Sequence, residues 1–277
     1  MRLIIEPIVR AALLEDLGRA GDITTEAIVL EEAEVEAVIA ARQPGVVAGL
    51  DAALLAFELI DPTLHIERLC DDGARISRGD IVAQLKGRAR GVLAAERTAL
   101  NFLSRMSGVA TATRALADAI AGSNAKIVCT RKTTPGLRTL EKEAVRLGGG
   151  ANHRFGLDDA MLVKDNHIAL AGGVRPALER AKRHAGHLVK IEIEVDTLNQ
   201  LAEGLAVGVN AVLLDNMTPE TMRRAVAIVD GRAITEASGR INLETAPAVA
   251  ATGVDLISSG WITHSAPILD LGLDIAG

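Results

Sequence analysis

The sequence predicts an α/β fold in which a parallel sheet, closed into a barrel or a near-barrel, follows an α+β region. From about residue 109 onward, short apolar runs alternate with helical segments. This alternation is typical of βαβ units, whose strands run parallel. Before that point, apolar residues between Ala33 and Ile39 alternate with Glu34 and Glu36, which is the period of a half-buried strand.

The α+β region combines two helices, three strands and the beginning of a long third helix. Asp51 is expected to cap the second helix and Asp61-Pro62 to end it. A long helix passes through Val92 and Met106, and Ser107-Gly108 is expected to break or kink it. The shorter elements are predicted at Ile8–Leu17, 33–39, Ala52–Leu59, Leu64–Leu69 and Ile81–Leu85, with turns at Pro44-Gly45 and Asp72-Gly73.

Six strands are predicted in the remainder of the chain, with helices between them. Thr218-Pro219-Glu220 combines a capping residue, a proline at the first helical position and an acid in the first turn. Asp196 or Thr197, and Asn242, are expected to cap in the same way, and helices should end at glycines. The predicted strands are Lys126–Thr130, Ala160–Lys164, Leu188–Val195, Ala211–Leu214, Ala233–Ala237 and Leu256–Ser259, and the terminating glycines are Gly208, Gly231 and Gly253.

Composition excludes several classes of protein. The 277 residues carry a net charge of -6 and only four aromatic side chains, which argues against a nucleic-acid surface. No apolar run approaches the roughly 18 residues of a membrane span, and Glu6 comes too early for a signal peptide, so a cytoplasmic protein is expected. Cys70 and Cys129 lack metal-ligand spacing and are predicted to be buried, reduced thiols.

Each predicted strand of the parallel sheet ends in polar or charged residues. In α/β barrels the active site lies at the carboxyl ends of the strands, and six polar endings in succession point to such a site. The endings are Thr130-Arg131-Lys132, Lys164-Asp165-Asn166-His167, Glu192 with Glu194, Asp215-Asn216, Glu236-Ala237-Ser238-Gly239 and Ser258-Ser259-Gly260.

The charges at these strand ends are segregated by sign. Basic side chains crowded into one cleft repel each other unless an anion neutralises them, so we expect an anionic small molecule as ligand. Arg138 could equally solvate a helix face, and Lys142 is expected to do so. The basic group follows the first two strands and comprises Arg131, Lys132, Arg138, His153, Arg154 and Lys164.

The other strand ends suggest further functions. Glu194 and Asp215 face this basic wall and suit Mg²⁺ held with substrate oxygens, or a cationic transition state. Either carboxylate could instead be a buried partner of Lys164. Ser238-Gly239 and Ser259-Gly260 resemble phosphate-binding sites, to which Arg240 would add a positive charge. His264 has either a binding or a structural role. The Gly148–Gly150 triplet would let backbone approach a ligand, and Lys164 alone would also permit Schiff-base chemistry.

Taken together, these motifs resemble the quinolinate phosphoribosyltransferase family, also called carboxylating nicotinate-nucleotide pyrophosphorylases. The resemblance runs in order through nearly the whole chain. It rests on Glu15-Asp16-Leu17-Gly18, Glu96-Arg97-Thr98-Ala99-Leu100-Asn101, Thr130-Arg131-Lys132-Thr133-Thr134-Pro135-Gly136-Leu137-Arg138, Gly148-Gly149-Gly150-Ala151-Asn152-His153-Arg154, Lys164-Asp165-Asn166-His167, Glu192-Ile193-Glu194-Val195, Leu214-Asp215-Asn216-Met217, Glu236-Ala237-Ser238-Gly239 and Thr263-His264-Ser265-Ala266.

The resemblance implies a reaction, an architecture and an assembly. Quinolinate and phosphoribosyl pyrophosphate would give nicotinate mononucleotide, pyrophosphate and CO₂ with Mg²⁺, a step of de novo NAD synthesis. An N-terminal α/β sandwich domain (1–108) would stand beside an incomplete α/β barrel (109–277), and the last residues would pack back on the first domain. The chain would form a homodimer or a hexamer, in which Arg97 reaches the neighbouring active site.

The resemblance also implies residue roles. Quinolinate and the pyrophosphate would be held by Arg97, Thr130, Arg131, Lys132, His153, Arg154 and Lys164. The catalytic residues would be Lys132, Lys164, Glu194 and Asp215, of which the last two would face the ribose and Mg²⁺. The 5′-phosphate would be bound by Ser238, Gly239, Arg240, Ser259, Gly260 and Trp261. This sequence departs from the residues expected in the family at Cys129, Arg240 and Trp261, of which the last two lie at the phosphate seat.

Three alternatives stay open from sequence. A paralogue associated with molybdate transport shares the fold, but it should depart from the Lys-Asp-Asn-His and Asn-His-Arg motifs kept here. A Schiff-base lyase would use Lys164. A binding or sensor protein with an inactive site is disfavoured by the intact Arg131, Lys132, Lys164, Glu194 and Asp215.

Overall fold

The computed structural model describes residues 2–275, which form two compact units. Among the described residues, the first unit is drawn from three segments, 2–114, 134–148 and 266–275. The second unit is drawn from residues 115–133 and 149–265. Each unit is built on its own principal sheet, antiparallel in the first and parallel in the second.

The first unit packs helices beside a four-stranded antiparallel sheet of order β12-β1-β5-β3. In β1 the inward residues Ala37 and Ile39 are fully buried, which confirms the predicted alternation. A two-stranded sheet joins β2 to β4. The elements of this unit are α1 (Arg2–Leu17), α2 (Ile23–Ile28), β1 (Glu34–Ala41), β2 (Gly45–Val46), α3 (Leu50–Ile60), β3 (His65–Arg68), β4 (Arg75–Ile76), β5 (Ile81–Arg88), α4 (Ala89–Ala119, of which the residues to Arg114 belong here), α5 (Arg138–Leu147) and β12 (Leu271–Ile275).

Two helix starts in this unit differ from the predictions. The helix predicted from Ile8 begins at Arg2 and contains Pro7, because burial of Ile5 and Val9 on one face extends it toward the N-terminus. The cap predicted at Asp51 is wrong, since Gly49 occupies that position with φ 84°. Such a left-handed conformation costs glycine little, and Asp51 lies in the first turn instead.

The long helix α4 is continuous, so the predicted break at Ser107-Gly108 is wrong. Gly108 instead permits a close backbone approach, because a Cβ at this position would lie 2.1 Å from the carbonyl oxygen of Pro267. Ser107 Oγ donates to the carbonyl oxygen of Ala48 at 3.2 Å. Both residues therefore serve packing of the helix within the first unit.

The second unit carries a six-stranded parallel sheet of order β6-β11-β10-β9-β8-β7. Among the residues described, β6 and β7 each pair with one neighbouring strand only, so the sheet is an incomplete α/β barrel, as predicted. Its elements are β6 (Lys126–Val128), β7 (Met161–Val163), α6 (Asp165–Ala171), α7 (Val174–His184), β8 (Ile191–Val195), α8 (Leu198–Val207), β9 (Ala211–Asp215), α9 (Pro219–Val229), β10 (Ile234–Ser238), α10 (Ala246–Ala250), β11 (Leu256–Ser258) and α11 (Trp261–His264).

Most of the predicted helix signals in this unit are confirmed. Thr218 caps α9 by accepting a hydrogen bond from the Thr221 backbone, and Pro219 follows it. Thr197, rather than Asp196, caps α8. Asn242 is not the cap of α10, which is Thr245; its side chain instead accepts from backbone N–H groups in the turn before that helix.

Parallel strands place their polar ends at one edge of the sheet. The register aligns Ser238 with Asp215 on the neighbouring strand, and Glu194 with Leu213. Because all six strands run the same way, the residues that follow them meet at the same rim. No helix in the described part of the chain has the length and apolarity needed to cross a membrane.

Candidate active site

A cavity of about 320 Å³ opens at the carboxyl ends of the strands in the second unit. Its size suits a small ligand. A larger cavity of about 630 Å³ lies in the first unit, but Arg105 in its wall is paired with Glu141 at 2.9 Å. The smaller cavity is lined by Thr130, Arg131, Lys132, His153, Arg154, Leu162, Lys164, Glu194, Leu213, Glu236, Ser238 and Ser258.

The structure brings together five of the six basic residues singled out in the sequence, and it leaves out one. Arg138 begins α5 in the first unit and does not line the cavity. Lys142, expected to be solvated, is buried with 4% of its surface exposed, so that prediction is wrong. Arg97 is exposed on α4. The predicted site residues outside the cavity lining are Arg97, Asp215, Gly239, Arg240, Ser259, Gly260 and Trp261.

Arg131 and Arg154 form a strongly basic wall. The Nε atom of each is buried without a hydrogen-bond partner among the described residues. Arg154 Nη1 donates to the carbonyl oxygen of Ala160 at 3.0 Å, which holds the side chain in place. Burial, with the nearby charge of Arg131, lowers the pKa of Arg154. A bound anion would supply both the missing hydrogen-bond acceptors and the missing counter-charge.

Lys164 and Glu194 also line the cavity and contact each other. Lys164 Nζ lies 2.8 Å from Glu194 Oε2, and the lysine keeps 46% of its side chain exposed. Lys164 itself stands at the start of α6, where its backbone N–H donates to His167 Nδ1 at 2.9 Å. The motif Lys164-Asp165-Asn166-His167 thus fixes the point at which the chain leaves β7 and orients the lysine toward the cavity.

Two acids, the buried Glu236 and the partly buried Glu192, face His153. The Nε2 atom of His153 lies 2.9 Å from Glu192 Oε2 and 3.8 Å from Glu236 Oε2. Burial lowers the pKa of His153, but the hydrogen bond to Glu192 and the charge of Glu236 outweigh burial, so the pKa is raised overall. Burial and the neighbouring Glu192 raise the pKa of Glu236 to about 7. Both shifts favour the protonated forms of these two side chains.

Two sets of residues could hold a metal ion. The side chains of His153, Glu192 and Glu236 offer ligand atoms within 4.8 Å of one another. However, His153 Nδ1 accepts a hydrogen bond from the Arg154 backbone at 2.7 Å, so in the neutral ring the proton sits on Nε2. That nitrogen points at the acids as a donor and is not available as a metal ligand.

Glu194 and Asp215 fit Mg²⁺ better. Mg²⁺ in phosphate sites is held by one or two carboxylates, with the remaining positions filled by substrate oxygens and water. Glu194 lines the cavity, whereas Asp215 ends the next strand and its Oδ2 accepts from Asn216 Nδ2 at 2.6 Å. This oxygen-only donor set has the chemistry that Mg²⁺ requires.

The proposed phosphate seat has an unusual backbone. Gly239 has φ 102°, and a Cβ there would lie 2.3 Å from Asn216 Oδ1, so glycine is required. Arg240 follows with φ 53°. Ser259 is buried, and its Oγ donates to the carbonyl oxygen of Ile241 at 3.3 Å. Trp261 begins α11 and is half-buried.

Cys129, which departs from the expected acid, is buried, whereas Cys70 is only partly buried, and neither thiol is in a disulfide with a described residue. The Sγ atom of Cys129 lies 3.2 Å from Asn152 Oδ1, which links β6 to the segment before His153. The thiol therefore orients Asn152, and the backbone of Cys129 continues that link, because its N–H donates to the carbonyl oxygen of Ala151 at 3.2 Å.

The cavity is also lined by Glu236 and Ser258, two strand-end residues to which the sequence assigned no role in the site, and by the apolar residues Leu162 and Leu213. Glu236 is 1% exposed although it lies in the middle of β10. The available signal was its position in the middle of a predicted strand of a parallel sheet, where both faces are covered and burial of an acid is costly.

Comparison with known proteins agrees with this geometry. The family described as "Quinolinate phosphoribosyl transferase, C-terminal domain" matches residues 109–274, and the corresponding N-terminal domain matches residues 22–107. The chain is a member of the quinolinate phosphoribosyltransferase family.

Individual family members match nearly the full chain. The nicotinate-nucleotide pyrophosphorylase [carboxylating] of Mycobacterium leprae is 47% identical over 96% of this chain and 95% of its own length. The probable nicotinate-nucleotide pyrophosphorylase [carboxylating] of Bacillus subtilis is 44% identical over 95% of this chain and 90% of its own length. The solved nicotinate-nucleotide pyrophosphorylase of Francisella tularensis superposes with a TM-score of 0.95 at 38% identity, covering 100% of this chain and 97% of the other.

Proposed function

We propose that this family member transfers the phosphoribosyl group of phosphoribosyl pyrophosphate to quinolinate and removes one carboxylate. The products are nicotinate mononucleotide, pyrophosphate and CO₂, a step of de novo NAD synthesis. The observation that carries the proposal is the cavity lined by Arg131, Arg154 and Lys164, in which the Nε atoms of the two arginines are buried with no hydrogen-bond partner among the described residues. A dicarboxylate ring and a pyrophosphate together match that demand.

The cavity residues divide the substrate between them. The quinolinate carboxylates and the pyrophosphate are bound by Thr130, Arg131, Lys132, Arg154 and Lys164. His153 orients this wall, since its ring is already engaged by Glu192 and by the Arg154 backbone. The 5′-phosphate is seated by Ser238, Gly239, Arg240, Ser259, Gly260 and Trp261.

Catalysis is positioning and electrostatic stabilisation. Glu194, held by Lys164 at 2.8 Å, faces the ribose carbon where positive charge develops as pyrophosphate departs. Lys132 and Lys164 stabilise the negative charge on the leaving pyrophosphate. Mg²⁺ bound by Glu194, Asp215 and substrate oxygens would neutralise more of that charge.

The assembly and location complete the proposal. The enzyme is a cytoplasmic homo-oligomer, a dimer or a hexamer, in which Arg97 of one subunit completes the anion site of another. Its exposure on α4 in this chain supports that role. Nucleic acids and membranes are not partners, which agrees with the net charge of -6.

The direct test is product formation. The purified protein, incubated with quinolinate, phosphoribosyl pyrophosphate and Mg²⁺, should yield nicotinate mononucleotide, measured by chromatography and mass spectrometry. Omission of quinolinate and its replacement by nicotinate serve as controls. Absence of product from either pyridine would contradict the proposed function.

A further inference from the structure

Glu236 is a buried acid whose carboxyl group opens onto the cavity. It lies on β10, is 1% exposed and lines the cavity wall. Its Oε1 atom is buried and lacks a hydrogen-bond partner among the described residues. An unpartnered buried oxygen is costly, so its presence at the cavity wall points to a function with the ligand.

The surroundings of Glu236 favour its protonated form. Glu192 on β8 is a second carboxylate close by, and the low exposure of Glu236 disfavours a charge; together they raise its pKa to about 7. His153 and Ser258 contact it from other elements and act in the opposite direction. The remaining charged groups around the cavity are Arg131, Lys132, Arg154, Lys164 and Glu194.

The proposed reaction consumes a proton at carbon. Loss of CO₂ from the position beside the ring nitrogen leaves an electron pair on that carbon, which must be protonated to give the product. The guanidinium groups of the cavity do not release protons. Lys164 is engaged by Glu194, and both ring nitrogens of His153 have partners in the protein.

We infer that Glu236 supplies the proton that replaces the lost carboxylate, an inference that rests on the proposed function. The bond between C2 and its carboxylate breaks, CO₂ leaves, and the electron pair stays on C2. The Glu236 O–H bond then breaks, and its proton is transferred to C2. Glu236 becomes a carboxylate and regains a proton from water before the next turnover.

The test separates the two halves of the reaction. In Glu236→Gln, the neutral side chain keeps its size but has no acidic proton. Without a proton donor the CO₂ recombines with the ring carbon, so CO₂ release should fall by about 10²-fold or more. Pyrophosphate release in a single turnover should persist, and a ribosylated dicarboxylate should be detected by mass spectrometry.

Two variants serve as matched controls. Glu194→Gln makes the same chemical change in the same cavity but acts at the ribose, so pyrophosphate and CO₂ should decrease together and stay equal. Glu236→Asp retains an acid and should restore equal amounts at a lower rate. Equal loss of both products in Glu236→Gln, or an unchanged CO₂ yield, would overturn the inference. Wild-type protein that forms no product would instead contradict the proposed function.

Discussion

Lys164 Nζ and Glu194 Oε2 lie 2.8 Å apart, so the cavity lysine is engaged by a carboxylate. An ammonium group in an ion pair has no lone pair with which to attack a carbonyl, which opposes Schiff-base chemistry. Borohydride reduction in the presence of quinolinate should therefore leave the protein mass unchanged. A reduced adduct located on Lys164 by peptide mapping would revive the lyase alternative.

Arg131 should be essential for anion binding, and its charge alone should not suffice. Arg131→Lys keeps the charge but loses the planar fork, and Arg131→Ala loses both. A charge-assisted hydrogen bond contributes about 1.5–3 kcal/mol, so kcat/KM should fall about 10- to 150-fold in each of the two variants. The exposed Arg223 on α9 provides the control, because Arg223→Ala should leave kcat/KM unchanged. Equal kinetics for Arg131→Lys and wild type would contradict a forked contact.

Glu236 should also make stability depend on pH. Its pKa is raised from 4.5 to about 7 in the folded protein, so the folded state holds this proton more tightly than the unfolded state. The contribution is fully present below pH 4.5 and is lost as the pH rises through about 7. Thermal melts from pH 4.5 to 8.5 should show wild type losing stability relative to Glu236→Gln. Parallel curves for the two proteins would show that Glu236 does not titrate in this window.

Arg97 should complement a damaged site on another subunit. If Arg97 completes the neighbouring cavity, Arg97→Ala and Lys164→Ala should each be inactive alone. Mixed oligomers of the two variants contain some sites with both residues intact and should recover partial activity. Co-purification through two different tags would verify mixing, and inactive verified mixtures would argue against a shared site.

Gly148 should be required for packing. The glycine triplet suggested backbone approach to a ligand, yet a Cβ on Gly148 would lie 2.4 Å from the carbonyl oxygen of Ala110. Gly148→Ala should therefore destabilise the protein by about 1–3 kcal/mol, measured by urea denaturation. In Gly186→Ala the nearest atom would be at 3.9 Å, so stability should be nearly unchanged. Comparable stability of the two variants would show that the helix contact can relax.

Local sequence signals predicted the parts of the fold that depend on local chemistry. The parallel strands, the cap at Thr218 and the polar strand ends all follow from periodicity and from residue type. The continuity of the helix through Ser107-Gly108 and the burial of Lys142 do not follow from local sequence, because each depends on a segment distant in sequence or on tertiary packing. Propensity is a weak guide where tertiary contacts decide.

The candidate site shows the same division. Arg131, Lys164 and Glu194 were predictable because charged residues at successive strand ends meet at one rim. The partnership of Glu236 with Glu192 and His153 was not, since it joins residues from different strands and a connecting segment. Only the register of the sheet places those side chains together.

The pairing of β12 with β1 has a consequence for biosynthesis. Ala37 lies opposite Ile275, so the edge of the first sheet is covered by a strand that the ribosome makes after the entire parallel sheet. Until then β1 presents an uncovered row of backbone donors and acceptors, the kind of edge that recruits foreign strands. The nascent chain must therefore keep β1 from pairing with other chains until β12 has been made and can cover it.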